Sequence, residues 1–396
     1  MPIHPERWKG LLKRYEQDRP RRMLALDGGG IRGLITLGIL QRIEAMILER
    51  TGLPLCEYFD YIAGTSTGAI IAASLARGMT TSDLIKFYQN YGREMFDPSA
   101  LIERYKFLHT ADPLMRQLQQ VYGSDTTLDP DHLKCLLLVV TKNVTTDSAW
   151  PVSSNPDAKY NDPARGDNNA KMPLWKLVRA STAAPVYFPA EVMTWDPAQP
   201  SKAVVFVDGG MTPYNNPAFL LYRMATEPAY RLNWTKGEKN LMLVSIGTGA
   251  AESTGATASA PNKNIVSTVA GLPGALMYAM QVDQDISCRT VGRCTFGAPL
   301  DRELMDLLPR EQKDGMTLEE CYAAPKIPLM TDLGRHFLYA RYNADLSRTG
   351  LNELGFPDVD PDNIQKMDCP DNIPELIRIG QAAAKIVDPL HFGPFL

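Results

Sequence analysis

The chain has 396 residues, 44% of them hydrophobic and 22% charged, with a formal net charge of -4 at pH 7. That length buries a substantial core, the composition is that of a globular protein, and the negative balance excludes a nucleic acid polymer as a bulk electrostatic partner. Six scattered cysteines (Cys56, Cys135, Cys288, Cys294, Cys321, Cys369) lack C-x-x-C spacing, and no charged-then-apolar leader opens the sequence; a cytoplasmic protein with reduced thiols is expected.

Taken in chain order, residues 5–17 place Trp8, Leu11, Leu12 and Tyr15 at helical spacing, which predicts a short amphipathic arm over 1–20. A strand-like run at 23–26 then stops on Asp27-Gly28-Gly29-Gly30, and helical patterning follows over 34–50. Gly28, Gly30 and Gly33 satisfy the dinucleotide fingerprint G-x-G-x-x-G, but the same bare turn before a helix N-terminus also suits an oxyanion. A second apolar run, 59–63, leads into Gly64-Thr65-Ser66-Thr67-Gly68, and helical patterns follow at 67–78 and 81–95. This is G-x-S-x-G in a strand–turn–helix setting, where a sharp elbow lifts a serine hydroxyl above a sheet; a serine N-cap between glycines is the alternative.

Further apolar runs occur at 136–141, 203–207 and 241–246. Their continuous hydrophobicity predicts strands buried on both faces, and the intervening helices predict a mostly parallel α/β sheet. The run at 203–207 ends on Asp208-Gly209-Gly210, the carboxyl end of a strand, where chemistry gathers in parallel sheets. An aspartate there can accept a serine proton if desolvation raises its proton affinity. Residues 250–264 read as a mobile loop. The uncharged stretch 264–282 is broken by Gly271-Leu272-Pro273-Gly274 and reads as core-packed rather than membrane-spanning. Residues 334–348 carry Arg335, His336, Tyr339, Arg341, Tyr342 and Arg348, either an amphipathic helix with a solvated basic face or a surface for a small anionic ligand. The tail from about 350 holds one helix candidate, 373–387. Of five histidines (His4, His109, His132, His336, His391), none follows a strand in a position poised for catalysis.

The loop at 27–30, the elbow at 64–68, the turn at 208–210 and the stretch 178–190 (VRASTAAPVYFPA) come in an order and spacing that resemble the patatin-like phospholipase family. The resemblance runs from about Arg22 to Gly249 and implies a three-layer α/β fold with a mostly parallel central sheet flanked by helices. It implies Ser66 as nucleophile and Asp208 as base in a dyad without histidine. The Gly28, Gly29 and Gly30 amides would form the oxyanion hole, with Arg32 orienting that loop; Gly64, Gly68, Gly209 and Gly210 support the motifs, and Asp27 braces the turn. No metal or cofactor is called for.

The expected organisation is an arm at 1–20, an acyl hydrolase domain at 21–345 and a helical tail at 346–396. The expected substrate is a membrane phospholipid reached at the bilayer surface, with residues 250–282 bordering the acyl-chain entrance. Bacterial patatin-like proteins of this length include anti-phage effectors switched on by cyclic oligonucleotides. The chain is similar to them in its short arm and its Arg- and Tyr-bearing segment, which makes a cyclic dinucleotide a candidate activator and leaves a homo-oligomer open. A constitutive lipase and a catalytically idle patatin-fold binding protein are the alternatives. The dinucleotide fingerprint loses ground because it leaves Ser66 and Asp208 unexplained.

Overall fold

The computed structural model describes residues 1–96, 113–185, 188–195, 203–250, 265–298 and 334–396. The strands among them are β1 (Arg21–Leu26), β2 (Tyr61–Thr65), β3 (Leu136–Asn143), β4 (Ser148–Ser153), β5 (Glu191–Met193), β6 (Val204–Asp208), β7 (Leu241–Ile246), β8 (Arg293–Phe296) and β9 (Leu338–Tyr342). They form one sheet in the order β5-β6-β3-β2-β1-β7-β9-β8, with β4 paired to β3. The run β3-β2-β1-β7-β9-β8 is parallel throughout, as the unbroken apolar runs predict; β4, β5 and β6 are antiparallel.

Strand alternation divides the apolar side chains between two cores. Leu24, Leu26, Ile62, Leu137, Val139, Val244 and Ala340 face one, packed with helices α1 (Gly33–Thr51), α2 (Thr67–Ala76), α3 (Thr81–Phe96), α4 (Pro113–Tyr122) and α5 (Leu174–Ser181). Met23, Ala25, Tyr61, Ala63, Leu138, Leu243 and Tyr339 face the other. That second face is covered by α6 (Ala218–Thr226), by Cys288 of α7 (Ile265–Val291), and by Trp8, Leu11 and Tyr15 of the N-terminal arm. The result is the expected three layers, helices on both faces of a mostly parallel sheet. The arm is anchored by Asp157, whose carboxylate accepts the Trp8 indole N–H at 2.8 Å and the Ile3 and His4 amides at 2.7 and 3.0 Å. In the tail, α8 (Ile373–Ala383) packs on α1 so closely that a Cβ on Gly38 would stand 2.5 Å from the Gly380 carbonyl carbon.

Three expectations are corrected. Residues 338–342 are not an amphipathic helix or a basic surface but the buried strand β9; Tyr339 and Tyr342 are in the cores, and Arg341 is 6% exposed. The flanking Arg335 and Arg348 donate to the carbonyls of Thr290 and Pro357. The segment therefore offers no stacked-tyrosine platform for an anionic ligand. Second, Gly271-Leu272-Pro273-Gly274 does not interrupt its helix, since α7 runs from Ile265 to Val291. Third, β6 runs antiparallel to β3, so Asp208 does not end a parallel strand. The loop expected at 250–264 lies, beyond Ala250, outside the described residues, as does His109. No helix among the described residues is long and apolar enough to cross a membrane.

Candidate active site

β3 is longer than its neighbour β2, and that difference builds the site. β2 ends with Thr65 opposite Val140, and the free remainder of β3 pairs with β6, whose last residue, Asp208, lies opposite Thr141. β4 occupies the other edge of β3 over the same residues, so β2 and β6 share one lane and meet head-on at their carboxyl ends. Ser66 follows Thr65 on the elbow into α2, with φ 54° and ψ -123°. This is the left-handed side of the backbone map, uncommon for a residue with a Cβ and characteristic of strained functional turns. Packing enforces it: a Cβ on Gly64 would stand 2.1 Å from the Gly68 carbonyl oxygen, so the strand and the first turn of α2 touch backbone to backbone. The Ser66 amide donates to Ser181 Oγ at 2.9 Å, and Ser181 in turn donates to the Val140 carbonyl at 2.7 Å.

The Ser66 hydroxyl donates to Asp208 Oδ2 at 2.6 Å, and the Gly210 amide donates to Asp208 Oδ1 at 2.7 Å. Asp208 is buried, and desolvation pushes its carboxyl up to about 6, against the opposing effects of the Ser66 and Gly210 hydrogen bonds. Among the described residues no ion pair involves Asp208; burial rather than charge tunes the group.

The glycine loop lies beside Ser66: a Cβ on Gly28 would be 3.2 Å from Ser66 Cβ and 2.3 Å from Asn215 Oδ1. The Gly28 amide is already committed, donating to the Asn215 carbonyl at 3.1 Å, which removes it from the expected oxyanion donors. The Gly28 carbonyl accepts from Thr248 Oγ1 at 3.1 Å and Asn215 Nδ2 at 3.3 Å. In a trans peptide the N–H points opposite the C=O, so pinning that carbonyl fixes the direction of the Gly29 amide. The Gly29 carbonyl is held by the Arg32 amide at 3.2 Å and, at 3.5 Å, by Arg32 Nε, which likewise orients the Gly30 amide. Among the described residues neither the Gly29 nor the Gly30 amide has an acceptor, and both stay available. Arg32 also donates to the Gly249 carbonyl at 3.2 Å, and burial lowers its guanidinium to about 10. Asp27 is fully buried and accepts from Arg341 Nη1 at 2.8 Å and Nη2 at 2.5 Å, and from Gln281 Nε2 at 2.6 Å.

The site residues expected from sequence thus fall together, while the described histidines are engaged elsewhere. His336 meets the Tyr222 hydroxyl at 2.6 Å, His391 the Tyr342 hydroxyl at 2.9 Å, His132 the Thr127 amide at 3.0 Å, and His4 lies 3.7 Å from Glu6. Sequence reading passed over Ser181, Asn215, Thr248 and Gln281. Ser181 stands inside the stretch 178–190 and Asn215 five residues past the turn at 208–210, and Thr248 lies just past the carboxyl end of β7, where a polar residue is a usable signal. Gln281 had no local signal. Around the rim, Met211 is 50% and Leu276 59% exposed, and the Met277 methyl lies 3.7 Å from where a Gly210 Cβ would stand.

Fold and site define the class: an α/β protein with a serine on a sharp strand-to-helix elbow beside a glycine loop. Within that class, residues 24–222 match the patatin-like phospholipase family, and the chain belongs to it. It is 32% identical over 245 residues to an intracellular phospholipase A2 of Caenorhabditis elegans, covering 59% of this chain and 20% of that one. It is 29% identical over 214 residues to a cGAMP-activated phospholipase of Vibrio cholerae, covering 50% and 56%. Over 243 residues it is 29% identical to patatin-17 of Solanum cardiophyllum, covering 57% and 60%. The matched region is thus between a fifth and three fifths of the length of these curated relatives.

Proposed function

We propose that the chain is a lipid acyl hydrolase working through a Ser66–Asp208 dyad. The observation that carries this reading is the 2.6 Å hydrogen bond from the Ser66 hydroxyl to a buried carboxylate. Ser66 Oγ attacks the ester carbonyl carbon while its proton passes to Asp208. The carbonyl π pair moves to oxygen, and the Gly29 and Gly30 amides receive the oxyanion, each donor stabilising it by about 3 kcal/mol. Collapse breaks the ester C–O bond, and the leaving alcohol takes the proton from Asp208. Water, giving its proton to the same carboxylate, attacks the acyl carbon; the C–Oγ bond breaks, Ser66 Oγ takes the proton back from Asp208, and the fatty acid leaves. A carboxyl near 6 suits both roles at neutral pH. The Asp27 charge, which would oppose the oxyanion, is matched by Arg341.

The substrate in this reading is an acyl ester of a membrane phospholipid, met at the bilayer by a cytoplasmic, peripherally bound enzyme. The exposed Met211 and Leu276 at the rim and the names of the relatives support it. The arm and tail belong to the same domain, supported by the buried Trp8 and the α1–α8 contact. Activation by a cyclic dinucleotide, in antiviral defence, is the regulated form of this reading and rests on the Vibrio cholerae relative. Its binding surface lies elsewhere than 334–348.

The test is hydrolysis of a fluorogenic phospholipid by wild type and Ser66→Ala, with and without a panel of cyclic dinucleotides. Wild-type activity lost in Ser66→Ala supports the hydrolase. Activity unchanged by every nucleotide leaves a constitutive lipase, and none under any condition leaves the binding protein.

A further inference from the structure

Helix α7 touches the site at two points, one turn apart. Met277 reaches the Gly210 turn beside Asp208, and Gln281, four residues on and so on the same helix face, donates to Asp27. Asp27 is the residue from which the oxyanion loop begins. Its amide is tied to the Ile246 carbonyl at 3.1 Å and its carboxylate to Arg341, which also donates to Ser245 Oγ at 2.7 Å. Gln281 is only half-buried, and α7 lies beyond the family-matched residues 24–222.

We propose that Gln281 is a positioning residue: by donating to Asp27 it fixes the seat of α7 against the strand end that carries the oxyanion loop. This rests on the hydrolase reading above. A single helix then spans the site, its Met277 over the base turn and its Gln281 on the oxyanion side, and a shift of that helix is felt at both. The contact is separable from folding. Arg341 remains bidentate on Asp27 when Gln281 is replaced, so no buried carboxylate is stripped of its counter-charge.

Among the described residues the charges facing position 281 are Asp27, just past β1, and Arg341 from β9. On α7 itself Asp285 follows one turn later and is paired with Arg289 at 2.8 and 3.0 Å. Tyr339 and Cys288 are further titratable groups nearby among the described residues, both held protonated by burial. A carboxyl at 281 would therefore donate to Asp27 when protonated and repel it when ionised.

The experiment compares Gln281→Leu and Gln281→Glu with wild type on a soluble chromogenic ester from pH 6 to 9, with hydrogen exchange over residues 24–34. Gln281→Leu is expected to lower kcat about tenfold at unchanged KM, as small misplacements of catalytic donors do. Its ratio to wild type should be constant with pH, and exchange over 24–34 should quicken. Gln281→Glu, ionised beside Asp27 across this range, should fall at least to the Leu level at every pH. A Gln281→Leu enzyme with wild-type kcat overturns the inference, even with a lowered Tm. So does a Gln281→Glu enzyme with wild-type kcat, or unaltered exchange over 24–34. If wild type is no more active than Ser66→Ala, the hydrolase reading fails instead, and the exchange data alone decide the seating of α7.

Discussion

Thr65 and Asp208 lie opposite consecutive residues of β3, Val140 and Thr141, on strands that approach from opposite directions. Ser66 and Asp208 are therefore held by one common ruler. A parallel strand brings Ser66 up to the sheet's carboxyl edge, and an antiparallel strand brings Asp208 down to it. The 2.6 Å contact follows from backbone register rather than from a flexible loop, which is the precision a proton transfer needs.

Ser66→Ala and Asp208→Asn are each expected to abolish ester hydrolysis, with the double variant no worse than either, because members of a catalytic unit are strongly non-additive. Steady-state rates of the three proteins check this. Asp208→Asn with most activity intact, beside a dead histidine variant, would replace the dyad by a triad.

The pH dependence has a definite sign. Asp208 must be ionised to act as base, so kcat/KM should fall below pH about 6. Stability runs the other way. The carboxyl lies near 3.8 in the unfolded chain and near 6 in the folded one, so the folded state binds the extra proton between those values. The resulting stabilisation is present below about 3.8 and lost as pH rises through 6. At pH 8 the ionised, desolvated group costs on the order of 3 kcal/mol. Asp208→Asn should therefore be more stable than wild type at pH 8 and nearly equal at pH 4, as read by denaturant titration.

Gly28→Ala tests the oxyanion loop. The added methyl would meet Asn215 Oδ1 at 2.3 Å and Ser66 Cβ at 3.2 Å, so either the Asn215 amide that donates to the Gly28 carbonyl swings away or the loop shifts against Ser66, and both disturb the Gly29 amide. At least a hundredfold loss of kcat is expected, with cooperative unfolding retained. Asn215→Ala, which removes one of two donors to the Gly28 carbonyl, should show a smaller loss of the same kind. Wild-type kcat in Gly28→Ala would place the oxyanion donors elsewhere.

The rim predicts a difference between substrates. Leu276 is exposed and Met277 stands beside Gly210, so Leu276→Asp and Met277→Asp should weaken liposome hydrolysis far more than hydrolysis of a soluble short-chain ester. Equal losses on both substrates would make these residues ordinary packing.

Much of the molecule was legible in the chain. Unbroken apolar runs specify strands buried on two faces, because such a strand must find helices on both sides, and the three-layer sheet follows. Ser66, Asp208 and the glycine loop were readable because sharp strand-to-helix turns leave local signatures of glycine, acid and small residues. What sequence left undecided were matters of partnership at long range. Residues 338–342 carry apolar side chains on both faces, as a buried strand does, yet Arg341 and two tyrosines, flanked by Arg335 and Arg348, suggested a polar helix face. Only the buried partner Asp27, more than three hundred positions away, makes the interior a tolerable place for Arg341. The direction of β6 was likewise undetermined, since a strand's own residues do not encode which neighbour it pairs with; the surplus length of β3 beyond Thr65 decided it. The Gly28 amide fell out of the oxyanion set for a similar reason, because its acceptor at Asn215 comes from a loop that folding alone brings beside it. The identities of the proposed reacting groups are local and written in the chain; their directions and protonation depend on burial and pairing, which exist only once the chain has closed on itself.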